Sequence, residues 1–263
     1  MNLTTRIKKA LIVSAFFYIS PNAWVQAACV LPEKHQLAPV HHVTDGDTIK
    51  LDGGVSVRLL GLNTPELPRR GKGGQPLAEE AHQALQAFLG ERVVLVDGDT
   101  PQDRYGRRLS HVFSSDGRSA EERLLRLGLG FFVGSDPSTG MADCLREAER
   151  DALQAKRGVW SAPFWRPADV DVDGTLLRPG FILLKGRIAR VEKTQRAIWL
   201  EMNGDVVLKV DRKDLHRFPD HWWQQLENQE WLIKGWLVDR KGHQGRHKRW
   251  LMRLMYPDML TKP

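Results

Sequence analysis

The sequence lacks the features that would place it at once in a membrane, fibrous or disordered class. It holds only two cysteines in 263 residues and no internal repeat strong enough to indicate a duplication. No apolar stretch after residue 27 is long enough to cross a bilayer, which argues against stable membrane insertion of that part. The apolar share of 41% and the charged share of 27% describe an ordinary globular chain. Its length suggests two domains of about 100 to 150 residues.

The first residues are typical of an export signal. Three cations, Arg6, Lys8 and Lys9, precede an apolar run at residues 10–19 that is too short to span a membrane. Residues 25–27 then offer a cleavage site. A buried N-terminal helix is the other interpretation, but the ordered change from cations to apolar to small residues favours the signal. We therefore expect residues 1–27 to be removed and the mature protein to be periplasmic or secreted.

Both cysteines, Cys29 and Cys144, remain after that cleavage. Export places them in an oxidising space, where a disulfide between the mature N-terminus and a helix is expected. A lipid anchor on Cys29 is the alternative, because residues 27–29 partly resemble a lipoprotein cleavage box. Gln26 stands where such boxes prefer an aliphatic residue, and Cys144 would then lack a partner. The sequence favours the disulfide.

The net charge of +7 is unevenly distributed along the chain. Residues 28–167 hold 18 Lys and Arg against 19 Asp and Glu, whereas residues 168–263 hold 18 against 13. Pro163 and Pro167 indicate a boundary between these two parts. The sequence thus predicts one domain at 28–167 and a basic domain at 168–263, and a polyanionic partner is more credible for the second.

Both parts predict small β-rich folds. In the first, turn signals separate alternating strands, and three segments have helical spacing, one of them opened by a capping box of Ser119 and Glu122. Five short strands with three helices suggest an OB-like barrel. In the second part, the turn signal Asn203-Gly204 lies between two strands of another barrel-like module. The predicted strands are 43–51 (a hairpin), 55–59, 93–96, 109–113, 181–191, 197–201, 206–210, 231–238 and 250–254, and the helices are 77–89, 119–127 and 141–156.

Four short segments supply the groups that phosphodiester cleavage needs. Glu66 can take a proton from water, and Asp47 can hold a hard cation. Arg58 and Arg107 are planar donors suited to phosphate oxygens. Each segment alone has an ordinary explanation as a turn, a solvated strand face or a strand end, so only their joint occurrence in one barrel favours function. The segments are 45–48, 57–60, 63–66 and 103–107.

The order of these segments resembles the staphylococcal-nuclease-like, or thermonuclease, family over residues 38–160. A strand hairpin, Arg-Leu-Leu, Thr-Pro-Glu, a basic loop, a helix, Asp-x-Tyr-Gly-Arg, a helix ending in Gly-Leu and a last helix before Gly-Val-Trp follow one another. Such an ordered set is more specific than any single motif. The resemblance implies an OB-fold nuclease that hydrolyses DNA and RNA with calcium and leaves 3′-phosphate ends.

Residue roles follow from the resemblance alone. It implies that Glu66 is the general base and that Arg58 and Arg107 contact the phosphate. It implies calcium ligation by Asp47 and by the Thr64 main-chain carbonyl, with Asp45 in support. Tyr105 lies where the family contacts a nucleotide phosphate. A basic glycine-rich loop, expected to be mobile, supplies further candidate substrate contacts: Arg69, Arg70 and Lys72.

One position departs from the family pattern. Asn63 stands where the family has a second metal-ligating aspartate. Its amide oxygen can still bind calcium, but the site has one negative charge fewer, and calcium affinity depends on ligand charge. We expect a weaker site that calcium fills outside the cytoplasm, where sites of about 10⁻⁴ to 10⁻³ M are used.

The second domain shows no catalytic constellation. Basic residues cluster between two of its predicted strands, where a phosphate contact or a solubilising loop are both open interpretations. His243 and His247 lack cysteine or acidic partners and are poor zinc candidates. The tryptophans could stack bases, although tryptophans in strands are more often core. The basic residues are Arg240, Lys241, Arg246, Lys248 and Arg249, and the tryptophans are Trp199, Trp223, Trp231, Trp236 and Trp250.

Two rival functions remain open. The barrel could bind nucleic acid after losing catalysis, with Asn63 as the first sign, but the presence of Glu66 and both arginines weighs against this. Alternatively, an exported envelope scaffold could use the barrel only as structure. The sequence predicts DNA or RNA as partner and indicates no protein partner.

Overall fold

The structure is a computed structural model that describes residues 28–69, 71, 73–135, 137–172, 177–241 and 248–262. The expected signal at 1–27 lies outside these ranges, as do Arg70, Lys72, Arg246, His243 and His247. Among the helices of the described residues, none is both long enough and apolar enough to cross a membrane.

The first half of the chain forms a closed barrel. Its strands are β1 (Gln36–Asp45), β2 (Thr48–Leu51), β3 (Ser56–Leu59), β4 (Leu62–Asn63), β5 (Arg92–Gln102), β6 (Arg108–Ser114) and β7 (Phe131–Phe132). The barrel order is β1-β2-β3-β6-β5, and β5 closes onto β1. Every pairing is antiparallel except β3 with β6. This is the OB-like barrel that the sequence predicts, and β4 pairs separately with β7.

Helices cover this barrel and complete its core. They are α1 (Ala78–Phe88), α2 (Ala120–Arg126) and α3 (Ala142–Gln154), within two residues of the predicted limits. Ser119 caps α2 by accepting the Glu122 N–H at 3.1 Å, but the Glu122 carboxylate does not return to Ser119. It accepts instead from Cys29 N at 3.0 Å and from Arg126 Nε at 2.9 Å. Only half of the predicted capping box therefore forms.

The predicted disulfide is confirmed. Cys29 and Cys144 are bonded, both are buried, and they lie in the hydrophobic core of the first barrel. The bond fastens the segment before β1 to α3, and the Cys29 N–H to Glu122 adds a second attachment to α2.

The second half forms another barrel with the same strand order. Its strands are β8 (Ala168–Asp169), β9 (Gly180–Lys193), β10 (Ala197–Met202), β11 (Val206–Asp211), β12 (Glu230–Asp239), β13 (Trp250–Arg253) and β14 (Leu260–Thr261). β9, β10 and β11 form an antiparallel meander, β11 runs parallel to β13, and β12 pairs with both β13 and β9. The order β9-β10-β11-β13-β12 thus repeats that of β1-β2-β3-β6-β5, with β8 and β14 as additions.

A buried interface joins the two barrels. Phe131 of β7 packs on Phe181 of β9, with ring centroids 5.1 Å apart, and lies within a third apolar cluster that contains residues of both halves. Beside it, Lys234 Nζ of β12 contacts Glu149 Oε2 of α3, and both side chains are buried. Glu149 Oε1 also accepts the Phe132 N–H at 2.8 Å. The division into separate domains near residue 167 therefore stays a prediction.

Candidate active site

The turn between β1 and β2 is shaped by close packing. A Cβ on Gly46 would lie 2.7 Å from Ala81 Cβ of α1 and 2.7 Å from Thr64 Oγ1. Any side chain at residue 46 would therefore push both neighbours away from the turn. Gly46 therefore allows Thr64 and α1 to pack closely against the turn that contains Asp47, and it also follows the end of β1.

Asp47 is the buried centre of the candidate site. Its Oδ1 accepts from Thr48 Oγ1 at 3.0 Å, and its Oδ2 accepts from the Thr64 N–H at 3.0 Å. Oδ2 also forms an ion pair with Nη1 of Arg58. Burial of a carboxylate is costly unless it is paired and hydrogen-bonded, and each of these contacts offsets that cost.

Arg58 joins three of the predicted segments. It lies opposite Thr48 in the β2–β3 register, which aims its side chain at the turn. Besides the ion pair, Nη1 donates to the Asp47 carbonyl at 3.2 Å, and Nη2 donates to Asn63 Oδ1 at 3.1 Å. Burial, followed by the charge of Arg107, lowers the pKa of Arg58 to about 9. Because that value lies above neutral pH, the guanidinium remains positively charged in solution at pH 7.

Glu66 lies on the loop after β4, with its side chain 49% exposed. Its N–H donates to Gln75 Oε1 at 2.8 Å, which holds the main chain, and its Oε2 lies 3.1 Å from Arg69 Nη2. The same Arg69 nitrogen donates to Asp45 Oδ2 at 2.9 Å. The hydrogen bond to Asp45 and the charge of Glu66 raise the pKa of Arg69. Arg69 thus bridges two acids of the candidate site.

Arg107 is held by the turn that contains it. Asp103 accepts from the Tyr105 N–H at 2.8 Å, from the Arg107 N–H at 3.0 Å and from Arg107 Nε at 2.8 Å. Burial alone would raise the pKa of Asp103, but the bonds from Arg107 and Tyr105 outweigh it and lower that pKa below its usual value. Tyr105 is 67% exposed, with the Arg104 and Arg107 guanidinium carbons 4.8 and 5.6 Å from its ring centroid.

Contacts join part of the candidate site directly. Arg58 links the Asp47 turn to Asn63 of the 63–66 loop, and Arg69 links Asp45 to Glu66. Besides burial, the charge of Arg107 lowers the pKa of Arg58, and the charges of Glu66, Asp45 and Asp103 raise it. A common catalytic role for these residues stays a prediction. Tyr105 sits beside Arg107 but points into solvent, and Arg70 and Lys72 lie outside the described residues.

Oxygen atoms dominate the available donor set for a metal. The described residues contain no group of three or more His, Cys, Asp and Glu side chains arranged for a metal ion. What converges instead is the Asp47 carboxylate, the Asn63 amide oxygen and the Thr64 segment, whose buried Oγ1 has no hydrogen-bond partner within the described part of the chain. Hard oxygen donors of this kind fit calcium or magnesium and not a soft metal.

Sequence reasoning missed two supporting residues. Gln75 fixes the Glu66 main chain from nine residues away, and nothing in the pattern around it indicates that role. Asp103 belongs to the Asp-x-Tyr-Gly-Arg motif, and aspartate commonly accepts main-chain N–H groups at the start of a turn. Turn chemistry could have identified Asp103 as the residue that positions Arg107.

The basic residues between β12 and β13 are largely engaged within the protein. Lys248 Nζ donates to the carbonyls of Met202, Asn203 and Gly204, closing the β10–β11 turn. Arg249 binds Asp239 through two nitrogens at 2.8 Å each, and Lys241 Nζ lies 3.9 Å from the same carboxylate. Arg240 donates to the Lys248 carbonyl, and burial lowers the pKa of Arg240. A phosphate contact by this cluster stays a prediction.

Comparison with known proteins identifies relatives of the first barrel. Residues 56–162 match the family described as staphylococcal nuclease homologue. The chain is 38% identical over 128 residues to an uncharacterized protein of Bacillus anthracis, covering 46% of this chain and 59% of that protein. It is 34% identical over 123 residues to the SPbeta prophage-derived endonuclease YokF of Bacillus subtilis, covering 44% of this chain and 41% of the endonuclease.

A third relative is matched over nearly its full length. The chain is 27% identical over 156 residues to the thermonuclease of Staphylococcus hyicus, covering 58% of this chain and 92% of the thermonuclease. The chain thus spans about half the length of the first two relatives. The family match ends at residue 162, before β8 begins at Ala168.

Proposed function

Because residues 56–162 form a domain of the staphylococcal nuclease family, we propose that the protein hydrolyses phosphodiester bonds of DNA or RNA with the help of calcium. One observation carries the proposal. Arg58 binds both the Asp47 carboxylate and the Asn63 amide, which joins three short segments into one site, and Arg69 links Glu66 to Asp45 beside it.

Glu66 acts as the general base. Its carboxylate is half-exposed, so water can reach it, while the bond from its N–H to Gln75 limits movement of the loop. Arg69 holds one carboxylate oxygen and thereby restricts the orientation of the side chain. A positioned carboxylate of this kind can take the proton from an attacking water.

Arg58 and Arg107 stabilise the negative charge that develops on the phosphate. A guanidinium has five N–H donors, and the contacts to Asp103 use two nitrogens of Arg107. The acids that hold each arginine fix its plane before the substrate arrives, which reduces reorganisation during the reaction. Arg69 adds a guanidinium beside Glu66, and Arg70 and Lys72, which lie beyond the described residues, stay predicted substrate contacts.

Calcium would be held by Asp47, Asn63 and the Thr64 main-chain carbonyl, and its chemistry when bound is to neutralise phosphate charge. Since Arg58 holds the side-chain oxygens of Asp47 and Asn63 in this structure, the cation and Arg58 share the same acceptors. An amide in place of a second carboxylate lowers the local negative charge. We therefore propose a weak site that suits an exported protein, in keeping with the Cys29–Cys144 disulfide.

The test is hydrolysis of denatured DNA by the purified chain with calcium or with a chelator. Glu66→Gln should lower turnover about 10²- to 10⁴-fold without altering the fold, because that range is what positioned proton transfer contributes. The matched control is Glu80→Gln, which removes an exposed carboxylate of α1. If Glu66→Gln has the same turnover as the wild type, the assignment of Glu66 as the general base is wrong. Calcium-independent binding with no hydrolysis by the wild type would favour the rival, a binding protein that has lost catalysis.

A further inference from the structure

The second barrel presents a face that the nuclease site does not use. Its order repeats that of the first barrel, so β10 and β11 are its second and third strands. The face formed by the second and third strands is where OB barrels bind oligonucleotides. In this protein, the residues on that face are suited to such a ligand.

One row of side chains crosses three neighbouring strands. Trp199 of β10 is opposite Lys209 of β11, and Lys209 is opposite Arg253 of β13. Residues in register project from the same side of a sheet. Lys209 Nζ lies 5.3 Å from the centroid of the Trp199 ring. An aromatic ring, a lysine and an arginine therefore stand side by side on one outer surface.

A cleft opens at the Trp199 end of this row. It is shallow and open to solvent, and it is lined by Thr194, Gln195, Arg196, Ala197, Trp199 and Lys209. Arg212 donates to the Gln195 carbonyl at 2.9 Å, which places another cation at its edge. Arg196 is exposed, and the structure gives its guanidinium no ion pair within the described residues. Thr194 fixes the connecting turn through bonds to Ala197.

Acidic residues share this face with the cations. Asp211 contacts Lys209 and lies 3.7 Å from Arg253, so a phosphate that binds these two cations replaces Asp211 as their partner. Glu192 is opposite Trp199 in the β9–β10 register, and Glu192 and Glu201 lie 2.8 and 3.5 Å from Arg190. The excess of 18 Lys and Arg over 13 Asp and Glu in residues 168–263 favours an anionic ligand.

The exposure of Trp199 indicates which class of ligand this face binds. Trp223, Trp231 and Trp250 are buried in the barrel, whereas Trp199 is only partly buried and lines the cleft. A tryptophan beside cations can stack an unpaired base while the cations hold the backbone. Bases in a duplex are not open to such stacking. We propose that the face of β10, β11 and β13 binds single-stranded nucleic acid through Trp199, Lys209 and Arg253.

This inference goes beyond the proposed function and does not depend on hydrolysis. Binding is measured with the full chain carrying Glu66→Gln, in chelator, by the fluorescence anisotropy of a labelled 20-nucleotide oligothymidine. All variants keep the same first barrel, so a difference between them reports the second. An inactive wild-type enzyme whose binding still responds to Trp199 would refute the proposed function alone.

Trp199→Ala should weaken binding about 10-fold, since stacking one base is worth about 1–3 kcal/mol. Trp199→Phe should recover part of the loss, because phenylalanine keeps a ring on which a base can stack. Lys209→Gln combined with Arg253→Gln should reduce the slope of log affinity against log salt by about 1.4, at about 0.7 for each phosphate that is no longer neutralised.

The matched control is Lys262→Gln. Lys262 also stands over a tryptophan, 4.1 Å from the Trp231 ring centroid, but lies next to β14, and Trp231 is buried. This variant should bind like the parent. Unchanged affinity in Trp199→Ala and in the double variant, with thermal melts showing intact folds, would overturn the proposal. Equal competition by duplex DNA, or by polyglutamate of the same charge, would also overturn it.

Discussion

The two barrels share a strand order, but their first connecting turns carry different residues. Between β1 and β2 the turn holds Asp47, whose buried carboxylate contacts Arg58. Between β9 and β10 the connection is residues 194–196, where Thr194 closes the turn with Ala197 and no acid is present. Strand order thus sets where a site can form, and a few residues on turns decide which chemistry it has.

The barrels also differ in what stabilises them. The first is covered by three helices and fastened by the Cys29–Cys144 disulfide. The second has a tryptophan-rich core, and one side of it is docked on β7 and α3 of the first barrel. Because β7 pairs with β4, which contains Asn63, the second barrel supports the strand that carries part of the candidate site.

The largest expected effect tests whether chemistry is confined to the first barrel. Arg58→Lys should lower hydrolysis about 10²- to 10³-fold, because losing a preorganised donor to the transition state has effects of that size. Lysine cannot reach both Asp47 and Asn63 with a planar fork. Lys185→Gln, which removes an exposed cation of β9 paired with Glu230, is the control in the second barrel. Turnover of Arg58→Lys within threefold of wild type would contradict the assignment.

The next effect concerns the docking of the barrels. Lys234→Met should lower the free energy of unfolding by about 3–5 kcal/mol at pH 7, since it leaves Glu149 buried without its cation. Glu149→Gln in the same chain should restore part of that loss, because glutamine can still accept the Phe132 N–H. Chemical denaturation measures both. Equal stability of Lys234→Met and wild type would mean that the pair does not fasten the interface.

The loss in Lys234→Met should depend on pH. Burial raises the pKa of Glu149, and the charge of Lys234 opposes that rise. Above the unfolded value of 4.5 and below the raised value, the folded state binds more protons than the unfolded state. The free energy of unfolding therefore falls as the pH rises between these two pKa values. Removing Lys234 removes the charge that opposes the rise, so the pKa of Glu149 in the folded state is raised further and the pH range becomes wider. The variant should be closer to wild type at pH 4.5 than at pH 7.

A smaller effect is expected from the disulfide that stabilises the first barrel and has no counterpart in the second barrel. Replacing both Cys29 and Cys144 by serine should lower the free energy of unfolding by about 2–4 kcal/mol, as expected when a long loop is no longer closed. A reductant should lower the stability of the wild type but leave the double serine variant, which has no cysteine, unchanged. A wild-type melt that is unchanged by reductant would contradict a structural role for the bond.

The smallest expected effect concerns calcium binding by residue 63. Asn63→Asp should lower the calcium concentration that gives half-maximal turnover several-fold, because it adds a carboxylate to the donor set. Arg58, which binds the Asn63 oxygen, can bind the new carboxylate in the same way. An unchanged calcium requirement would show that residue 63 is not a ligand.

Much of the fold was predictable because its signals are local. The hairpin at Asp45–Thr48 and α1 at Ala78–Phe88 follow from turn residues and apolar spacing. The end of β5 was not predictable, since it continues to Gln102 only by pairing with Arg108 of β6. Glu122 was predicted to complete a capping box, but the N-terminal segment supplies Cys29 N as a competing donor.

The sequence alone determined the order of the elements, the residue types of the candidate site and the cysteines available for a disulfide. Only the tertiary structure decided which groups meet. It places Arg69 between Asp45 and Glu66, closes a turn with Lys248 and leaves Trp199 partly exposed while Trp231 is buried. Periodicity reports which face of an element is apolar, whereas such contacts join residues far apart in sequence and depend on how the strands close into a barrel.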